Sequence, residues 1–376
     1  MKIKKIYLIV IISGIMLLSS CFNEEIENKT DDIIENEQIE DYNTIFESVE
    51  LENNEDYNIH RITQDGTLLE ILNNKNILIS KDNNNLVVYN TKNQDENIIA
   101  EEAWNATVSI DKSIISYEKE DGIYVSSING NDSILVYSLN DEITRNFIIS
   151  SDSKSILIQT IKDDEFQNKI VDLEGNVKEL NITENDDFII TKLIYFRNNR
   201  LYATAQIKKD KIDVNDEELI KTTDLIRLDT NTGAVKNITN MSPQDQTYLL
   251  DIYDEDKLLI KIEETTVDDD GINVKNSIKR VNLSNGGIYS TRIDIADTTV
   301  IKILDRETEY IWLEEPIEYD IKFPNKLEIK YRNNKGVVDT IGSITSGIPS
   351  TIFVQDNDIY FNSNGDIYII DMLNRE

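Results

Sequence analysis

Short apolar runs separated by polar turns fill the chain from residue 57 onward. Seven times an apolar run passes through a polar turn into a second apolar run, and the runs are rich in β-branched residues. Runs of about four to eight such residues, bounded by Asn, Asp, Gly or Ser, are typical of β-strands. The seven segments are "LLEILNNKNILIS", "ATVSIDKSIISY", "FIISSDSKSILIQ", "LIYFRNNRLYAT", "LLDIYDEDKLLIK", "VIKILDRETEYIWL" and "TIFVQDNDIYFN".

These segments recur at a regular distance. Four-stranded propeller blades repeat every ~40 to 50 residues, and third strands such as "NLVVYN" and fourth strands such as "ENIIA" complete most units. We therefore predict an all-β chain folded as a single β-propeller, with seven four-stranded blades. Six or eight blades, or a pair of β-sandwiches, are the alternatives. The second strands begin near Ile77, Ile114, Ile156, Leu201, Leu258, Tyr310 and Ile359, with spacings of 37, 42, 45, 57, 52 and 49 residues.

One strand stands alone before the first unit. "NIHRIT", residues 58–63, is similar to the fourth strands "VKELNIT" and "AVKNIT", whereas the seventh unit has no fourth strand after "DIYIID". An unpaired last blade would leave an open sheet edge that invites aggregation. We predict that the N-terminal strand completes the last blade and closes the ring.

The phrases "SSDSKSILIQ" and "NGDIYIIDMLN" resemble the repeat of TolB-like and WD-like propellers, over about residues 57–376. The resemblance implies the propeller fold. The Pro-Asp-Gly turn of that repeat is degraded in every unit, and the Trp-Asp dipeptide of WD repeats is absent. No functional subfamily follows from it.

The first residues have the order of a secretory signal. Lys2, Lys4 and Lys5 precede an uncharged apolar run of 13 residues, 6–18, which is shorter than the ~20 residues that span a membrane. The run leads into Leu18-Ser19-Ser20-Cys21, which resembles a bacterial lipobox. This resemblance implies a signal peptide at 1–20 and a lipidated Cys21 as the mature N-terminus. A plain secretory signal with an incidental cysteine is the alternative.

Charge separates the next segment from the propeller. Removal of residues 1–20 takes away three lysines and no acid, so the net charge moves from −33 to −36. Residues 22–56 carry 14 Asp and Glu against one Lys, which is typical of a solvated, self-repelling tether over 21–56. An acidic helix around "DDIIENEQIEDYNTIF" is the alternative. So acidic a chain is repelled by nucleic acid, and we expect no nucleic-acid partner.

The residues needed for common catalytic sites are missing. Cys21 is the only cysteine and His60 the only histidine, which excludes disulfides and leaves no material for histidine triads or histidine-rich zinc sites. Among so many carboxylates, an acid–base pair cannot be recognised by sequence. We expect no cofactor. "TVDDDGIN", residues 266–273, has the clustered acids and the glycine of a Ca²⁺ loop but lacks the spaced ligands and terminal glutamate of an EF-hand. A solvated turn is therefore preferred, and a Ca²⁺ site is the alternative.

The segments between the second and third strands are long in units four to six, and we predict that they form the binding surface. They cover 205–223, 263–276 and 314–325, and we expect them on one face of the ring, where long loops concentrate binding; neutral variation of loop length is the alternative. Cations, carboxylates and aromatic rings in or near them suit a protein partner, or stacking on a glycan. These candidate residues are Lys208, Lys209, Lys211, Asp268, Asp269, Asp270, Trp312, Tyr319 and Phe323.

Together these observations predict a lipid-anchored protein on the extracytoplasmic face of the cell membrane. We expect its propeller to act as a non-catalytic scaffold for an envelope protein. A module that binds cell-wall glycan or a small ligand is the first alternative, and a carboxylate-based hydrolase or lyase is the second.

Overall fold

The computed structural model describes most of the chain after residue 56. The described residues all belong to one compact unit, Glu47–Glu376. They are 57–63, 66–130, 132–182, 184–185, 187–208, 221–242, 245–254, 256–268, 271–293, 295, 300–305, 307–314, 327–344, 352–355, 358–363 and 366–372. The predicted signal peptide at 1–20, Cys21 and the predicted tether lie outside them.

Within these ranges the chain forms 28 β-strands and no helix, which confirms the all-β prediction. The first half comprises β1 (Tyr57–Thr63), β2 (Gly66–Ile71), β3 (Asn76–Lys81), β4 (Leu86–Asn90), β5 (Glu96–Ala100), β6 (Trp104–Val108), β7 (Ile114–Lys119), β8 (Gly122–Ser127), β9 (Ile134–Ser138), β10 (Ile143–Ile149), β11 (Ser155–Lys162), β12 (Glu165–Asp172), β13 (Val177–Glu179) and β14 (Phe188–Arg197). The second half comprises β15 (Arg200–Lys208), β16 (Lys221–Asp229), β17 (Val235–Asn237), β18 (Gln246–Tyr253), β19 (Lys257–Asp268), β20 (Gly271–Asn282), β21 (Gly287–Ser290), β22 (Ile301–Asp305), β23 (Glu309–Glu314), β24 (Leu327–Arg332), β25 (Val338–Ile344), β26 (Ile352–Gln355), β27 (Asp358–Ser363) and β28 (Asp366–Met372).

The strands pair into seven antiparallel four-stranded blades. Blades 1 to 6 take four consecutive strands each, from β2–β5 to β22–β25. A single parallel bridge, between Thr223 of β16 and Gln246 of β18, joins blades 4 and 5 at one point. Blade 7 has the order β1-β28-β27-β26, so the N-terminal strand supplies its fourth strand. The predicted propeller and its predicted closure are both confirmed.

Seven clusters of buried apolar side chains lie between neighbouring blades, one at each junction. The second strand of blade 1 shows how the sequence builds them. Ile77 and Ile79 pack toward blade 7, whereas Leu78 packs toward blade 2, because successive side chains of a strand point to opposite faces. A strand buried on both faces must be apolar throughout, which explains the unbroken runs in the sequence.

Asn and Asp dominate the tight turns for a backbone reason. Positive φ angles occur at Asn84, Asn198, Asn199 and Asp254, among other turn residues. Asn and Asp tolerate this left-handed region better than most residues with a side chain. Many of the turns at which the chain reverses between strands therefore contain Asn or Asp.

Antiparallel order places two kinds of connection on the same side of the ring. Turns from a second to a third strand, and links from a fourth strand to the next blade, all lie on one side, which we call the hairpin face. The bridge between Thr223 and Gln246 joins one connection of each kind, as this arrangement requires. The opposite face carries the turns between first and second and between third and fourth strands.

Candidate functional site

A long hairpin projects from the hairpin face in blade 5. β19 and β20 pair from Lys257 and Asn282 to Asp268 and Gly271, whereas β18 stops pairing at Glu263. Residues 264–268 and 271–275 therefore extend as a two-stranded arm that no third strand of the described residues joins, and we call it the hairpin arm. Five residue pairs at about 3.4 Å per residue make it ~17 Å long.

The base of the arm is fixed to the ring. Asp245, just before β18, accepts a hydrogen bond from the Thr265 amide at 2.8 Å. Gln246 accepts one from the Thr223 amide of blade 4 at 3.1 Å. The start of β18 thus links the arm to the base of the blade 4 hairpin. Beyond its base the arm is exposed, and Val274 has 53% of its surface open to solvent.

The arm corrects one sequence-based prediction. Residues 263–276 were expected to be a loop, but all of those described lie in a paired hairpin. Thr265 and Val267 on β19, with Ile272 and Val274 on β20, have the β-branched character of strands, and an Asp-Gly dipeptide in the sequence between them favours a reversal of the chain. The pattern was present in the sequence, but its acidic charge suggested a loop.

Most of the candidate binding residues fall outside the described ranges. They are Lys209, Lys211, Asp269, Asp270, Tyr319 and Phe323. Lys208 ends β15 and pairs with Asp187 at 3.0 Å, beside the start of β14. Asp268 ends β19 opposite Gly271, in the tip of the hairpin arm. Lys208 and Asp268 therefore lie at second-to-third-strand hairpins of neighbouring blades, on the same face.

Trp312 is not available as a surface aromatic. It lies in β23, has 5% of its surface exposed, and packs with Tyr310 and Ile301 between blades 5 and 6. Its ring centre is 5.4 Å from that of Tyr310. The prediction that its indole ring stacks on a sugar is wrong, because buried apolar side chains already pack against that ring. An apolar run, "YIWL", was the sequence signal for this burial.

A cavity of about 320 Å³ occupies the centre of the ring. The inner strands β2, β14, β18, β22 and β26 line it, so five blades contribute to one space. Its wall combines apolar side chains, Leu250, Ile252 and Phe353 among them, with polar groups. Four charged residues also line it: Glu70, Lys192, Asp251 and Lys302.

Two of the cavity carboxylates have cationic partners. Lys302 Nζ lies 2.8 Å from Asp251 Oδ1, and the Ile303 amide donates to Asp251 Oδ2 at 2.9 Å. Burial raises the pKa of Asp251, and the charge of Lys302 opposes that rise. Glu70 pairs with Lys112, from the turn after β6, at 2.8 Å. These pairs join blade 5 to blade 6 and blade 1 to blade 2.

Lys192 differs from the other charged residues in the cavity. No carboxylate within the described ranges lies within ion-pair distance of its ammonium. Solvent reaches its side chain, yet the surrounding strands desolvate the charge, and this lowers the pKa of Lys192. The sequence gives no hint of this residue, because only ring closure brings β14 to the other inner strands.

Buried ion pairs also connect blades away from the cavity. The Glu184 side chain is 0% exposed and accepts hydrogen bonds from Arg145 Nη1 at 3.0 Å and Asn168 Nδ2 at 2.9 Å. Lys169, on blade 3, lies 2.6 Å from Glu142 and contacts the Tyr137 hydroxyl. Burial and the bond to Glu142 raise the pKa of Tyr137. These charged groups have structural partners, and each set bridges two neighbouring blades.

Neither a metal-binding cluster nor a membrane-spanning helix occurs within the described ranges. No group of three or more His, Cys, Asp or Glu side chains in the described part of the chain is arranged to hold a metal ion. None of the described residues forms a helix long and apolar enough to cross a membrane.

Comparison with known proteins supports the fold alone. No family model matches the chain, and a search of curated proteins finds no match. An oligogalacturonate lyase from Vibrio parahaemolyticus is similar in structure, with a TM-score of 0.62 and 13% identity over 83% of this chain and 93% of that one.

Two further solved structures extend the likeness. An oligogalacturonate lyase in complex with manganese gives a TM-score of 0.62 at 10% identity, over 84% of this chain and 93% of that one. The WD40 repeats of RRP9 give 0.50 at 7% identity, over 86% and 100%. The shared feature is the β-propeller, which agrees with the WD-like resemblance of the repeats.

Proposed function

We propose that the protein is a lipid-anchored lipoprotein of the extracytoplasmic membrane face whose propeller binds an envelope protein without catalysis. The hairpin arm is the observation that carries the binding proposal. A two-stranded ribbon is marginally stable in water by itself, and beyond the Thr265–Asp245 bond no third strand of the described residues pairs with either edge of the arm. Contact with a partner protein would cover those edges.

The chemistry of the hairpin face suits a polar protein partner. The Lys208–Asp187 ion pair contributes both charges near blade 4, while the arm combines Lys275 and Glu264 with the exposed apolar Val274. Apolar anchors supply most of the affinity at protein interfaces, whereas surrounding charges steer approach and set specificity. The candidates Lys209, Lys211, Asp269, Asp270, Tyr319 and Phe323 belong to the same proposed interface.

Site-specific crosslinking tests this proposal. A photo-crosslinking residue in place of Lys275, on the arm, should capture one envelope protein in intact cells. The matched control places it at Lys75, which is also an exposed lysine but lies on the opposite face. Identical adducts from the two positions, or none from Lys275, would contradict partner binding by the arm.

A shortened arm provides the complementary variant. Deletion of 265–266 together with 273–274 removes two opposed pairs and leaves the other side chains on their original faces. We expect the Lys275 adduct to disappear while the thermal unfolding midpoint stays within a few degrees of the parent value. An unchanged adduct would mean that the partner does not contact the arm.

The membrane anchor rests on the lipobox-like sequence that ends at Cys21. Cys21→Ala should abolish incorporation of labelled palmitate and release the protein from membranes. Labelling and membrane association equal to those of the parent chain would refute the anchor. The binding proposal would survive that result, because it rests on the propeller alone.

A carbohydrate-active enzyme is the second candidate function, and the activity named for the two lyase structures is the observation that favours it. Incubation of the protein with oligogalacturonate, with and without manganese, tests it through the ultraviolet absorbance of unsaturated products. Turnover would replace the non-catalytic proposal. The absence of products under both conditions would leave the scaffold as the better explanation.

A further inference from the structure

We infer that the central cavity binds a small organic carboxylate, with Lys192 as its charge partner. The inference is independent of partner binding at the hairpin face, since it concerns a different part of the ring. A cavity of about 320 Å³ lies at the lower end of the usual volumes of small-molecule sites.

The charges of the lining residues set the sign of the ligand. Asp251 is neutralised by Lys302 at 2.8 Å, and Glu70 by Lys112 at 2.8 Å. Among the charged residues that line the cavity, Lys192 is therefore the one without an oppositely charged partner in the described ranges. A single anionic group placed beside Lys192 would give its ammonium an ion-pair partner.

Desolvation makes such a pairing effective. The strands around the Lys192 ammonium remove part of its hydration, and a charge-assisted hydrogen bond to a carboxylate would replace it. The lowered pKa of Lys192 agrees with this loss of hydration. The ammonium is nevertheless reached by solvent, so a ligand that enters the cavity can reach it too.

The rest of the wall selects the remainder of the ligand. Leu250, Ile252, Val300 and Phe353 present apolar surface to the same space. A ligand with a compact apolar body and one carboxylate matches both features. A polyanion would meet the single unpaired cation but would also approach the carboxylates of Asp251 and Glu70.

Benzoate and benzamide form a matched pair of probes, because they share the ring and differ in charge. We expect the detergent-solubilised full chain to bind benzoate at least tenfold more tightly than benzamide in calorimetric titrations. Lys192→Met should lower benzoate affinity to that of benzamide, and Lys192→Arg should keep the preference. Lys75→Met, which removes an exposed lysine far from the cavity, should leave both affinities unchanged.

Methyl NMR of the parent chain tests the inference without any variant, so misfolding of a variant cannot affect the result. Benzoate should shift the methyl resonances of Leu250 and Ile252, which line the cavity, and leave those of Leu135, on the outer edge strand β9, in place. Equal affinity for the two probes, parental benzoate binding by a folded Lys192→Met variant, or no saturable binding up to about 10 mM would overturn the inference.

Discussion

Ile59 of β1 is the backbone partner of Ile370 of β28, although the two residues lie near opposite ends of the folded chain. Their ladder is continuous from Tyr57 and Met372 to Thr63 and Ile367, apart from one irregularity after Arg61. The Tyr89 hydroxyl of blade 1 donates to the Ile62 carbonyl at 2.9 Å, so the closing strand is held from both sides.

Deletion of the closing strand should destabilise the whole ring. A chain that lacks 22–56 should unfold at nearly the parent temperature, whereas one that lacks 22–63 should lose several kcal/mol, because ladder hydrogen bonds and apolar burial both disappear. Differential scanning calorimetry of the two chains measures the difference. Equal unfolding temperatures would contradict a stabilising role for β1.

Asn362 should be the most sensitive single residue at the closure. Its side chain accepts from the Leu68 amide at 2.8 Å and donates to the Gly66 carbonyl at 3.1 Å, which fixes β27 to β2 across the junction of blades 7 and 1. Asn362→Ala leaves two backbone groups without this partner and should cost about 1–3 kcal/mol in urea unfolding.

Two further variants serve as comparisons for Asn362→Ala. Asn362→Asp keeps the acceptor for the Leu68 amide but turns a carboxylate oxygen toward the Gly66 carbonyl, so it should not recover the stability of the parent chain. Asn97→Ala removes one exposed bond to the Asn129 carbonyl and should change stability by less than about 0.5 kcal/mol. A loss at Asn362 no larger than that at Asn97 would remove the closure argument for this side chain.

The Arg145–Glu184 pair should show the cost of an isolated buried charge. Glu184→Ala leaves Arg145 without its buried carboxylate and should destabilise the protein by about 3–5 kcal/mol. Replacing both residues with Met should cost less than the sum of the single changes, because the double variant buries no unpaired charge.

A surface pair provides the control for this cycle. Lys81 and Glu96 lie 2.6 Å apart, with partly exposed side chains. Glu96→Ala should cost at most about 1 kcal/mol, since water screens the pair. Similar losses at Glu184 and Glu96 would show that burial does not govern these interactions.

Asp111 should make stability depend on acid pH. Hydrogen bonds from Ser109 and Ser113, with another from Ser153 of the next blade, hold the pKa of Asp111 well below its usual 3.8. The unfolded chain therefore takes up the proton first as pH falls. The contribution of Asp111 is complete above pH 3.8 and is lost progressively below it.

Asp111→Asn should flatten this dependence. Unfolding free energies measured between about pH 5 and pH 2 should fall less steeply for this variant than for the parent chain. Asp82→Asn makes the same charge change at an exposed turn where no side-chain hydrogen bond holds the carboxylate within the described residues. Parallel curves for Asp111→Asn and the parent chain would refute the assignment.

The repeat was predictable because each blade is a local unit. The predicted second-strand starts at Ile77, Ile156 and Leu201 lie one residue from the observed starts of β3, β11 and β15. Closure was predictable because an orphan strand and an incomplete unit occur in one chain. The alternation of Ile77, Leu78 and Ile79 between two junctions follows directly from strand periodicity.

Features that depend on the closed ring could not be predicted. Lys192 and Asp251 meet at one cavity because their inner strands converge, and no sequence spacing encodes that convergence. Trp312 was misassigned because an aromatic residue beside a long polar segment resembles a surface anchor when its partners in the next blade are unknown. The strands of the hairpin arm were not predicted, because the acidic residues of 263–276 suggested a loop and the alternation of Thr and Val that favours strands is weak.

The direction of β1 gives the ring an uneven resistance to force. Tyr57 lies on the face opposite the hairpin arm, and β1 runs from there toward the hairpin face. A pull on Tyr57 along its own strand loads the ladder with β28 in shear, because those hydrogen bonds run perpendicular to the strands. All the pairs then carry the load together, whereas a sideways pull would part them one after another. The pairing of β1 with β28 therefore resists force best along the axis of β1.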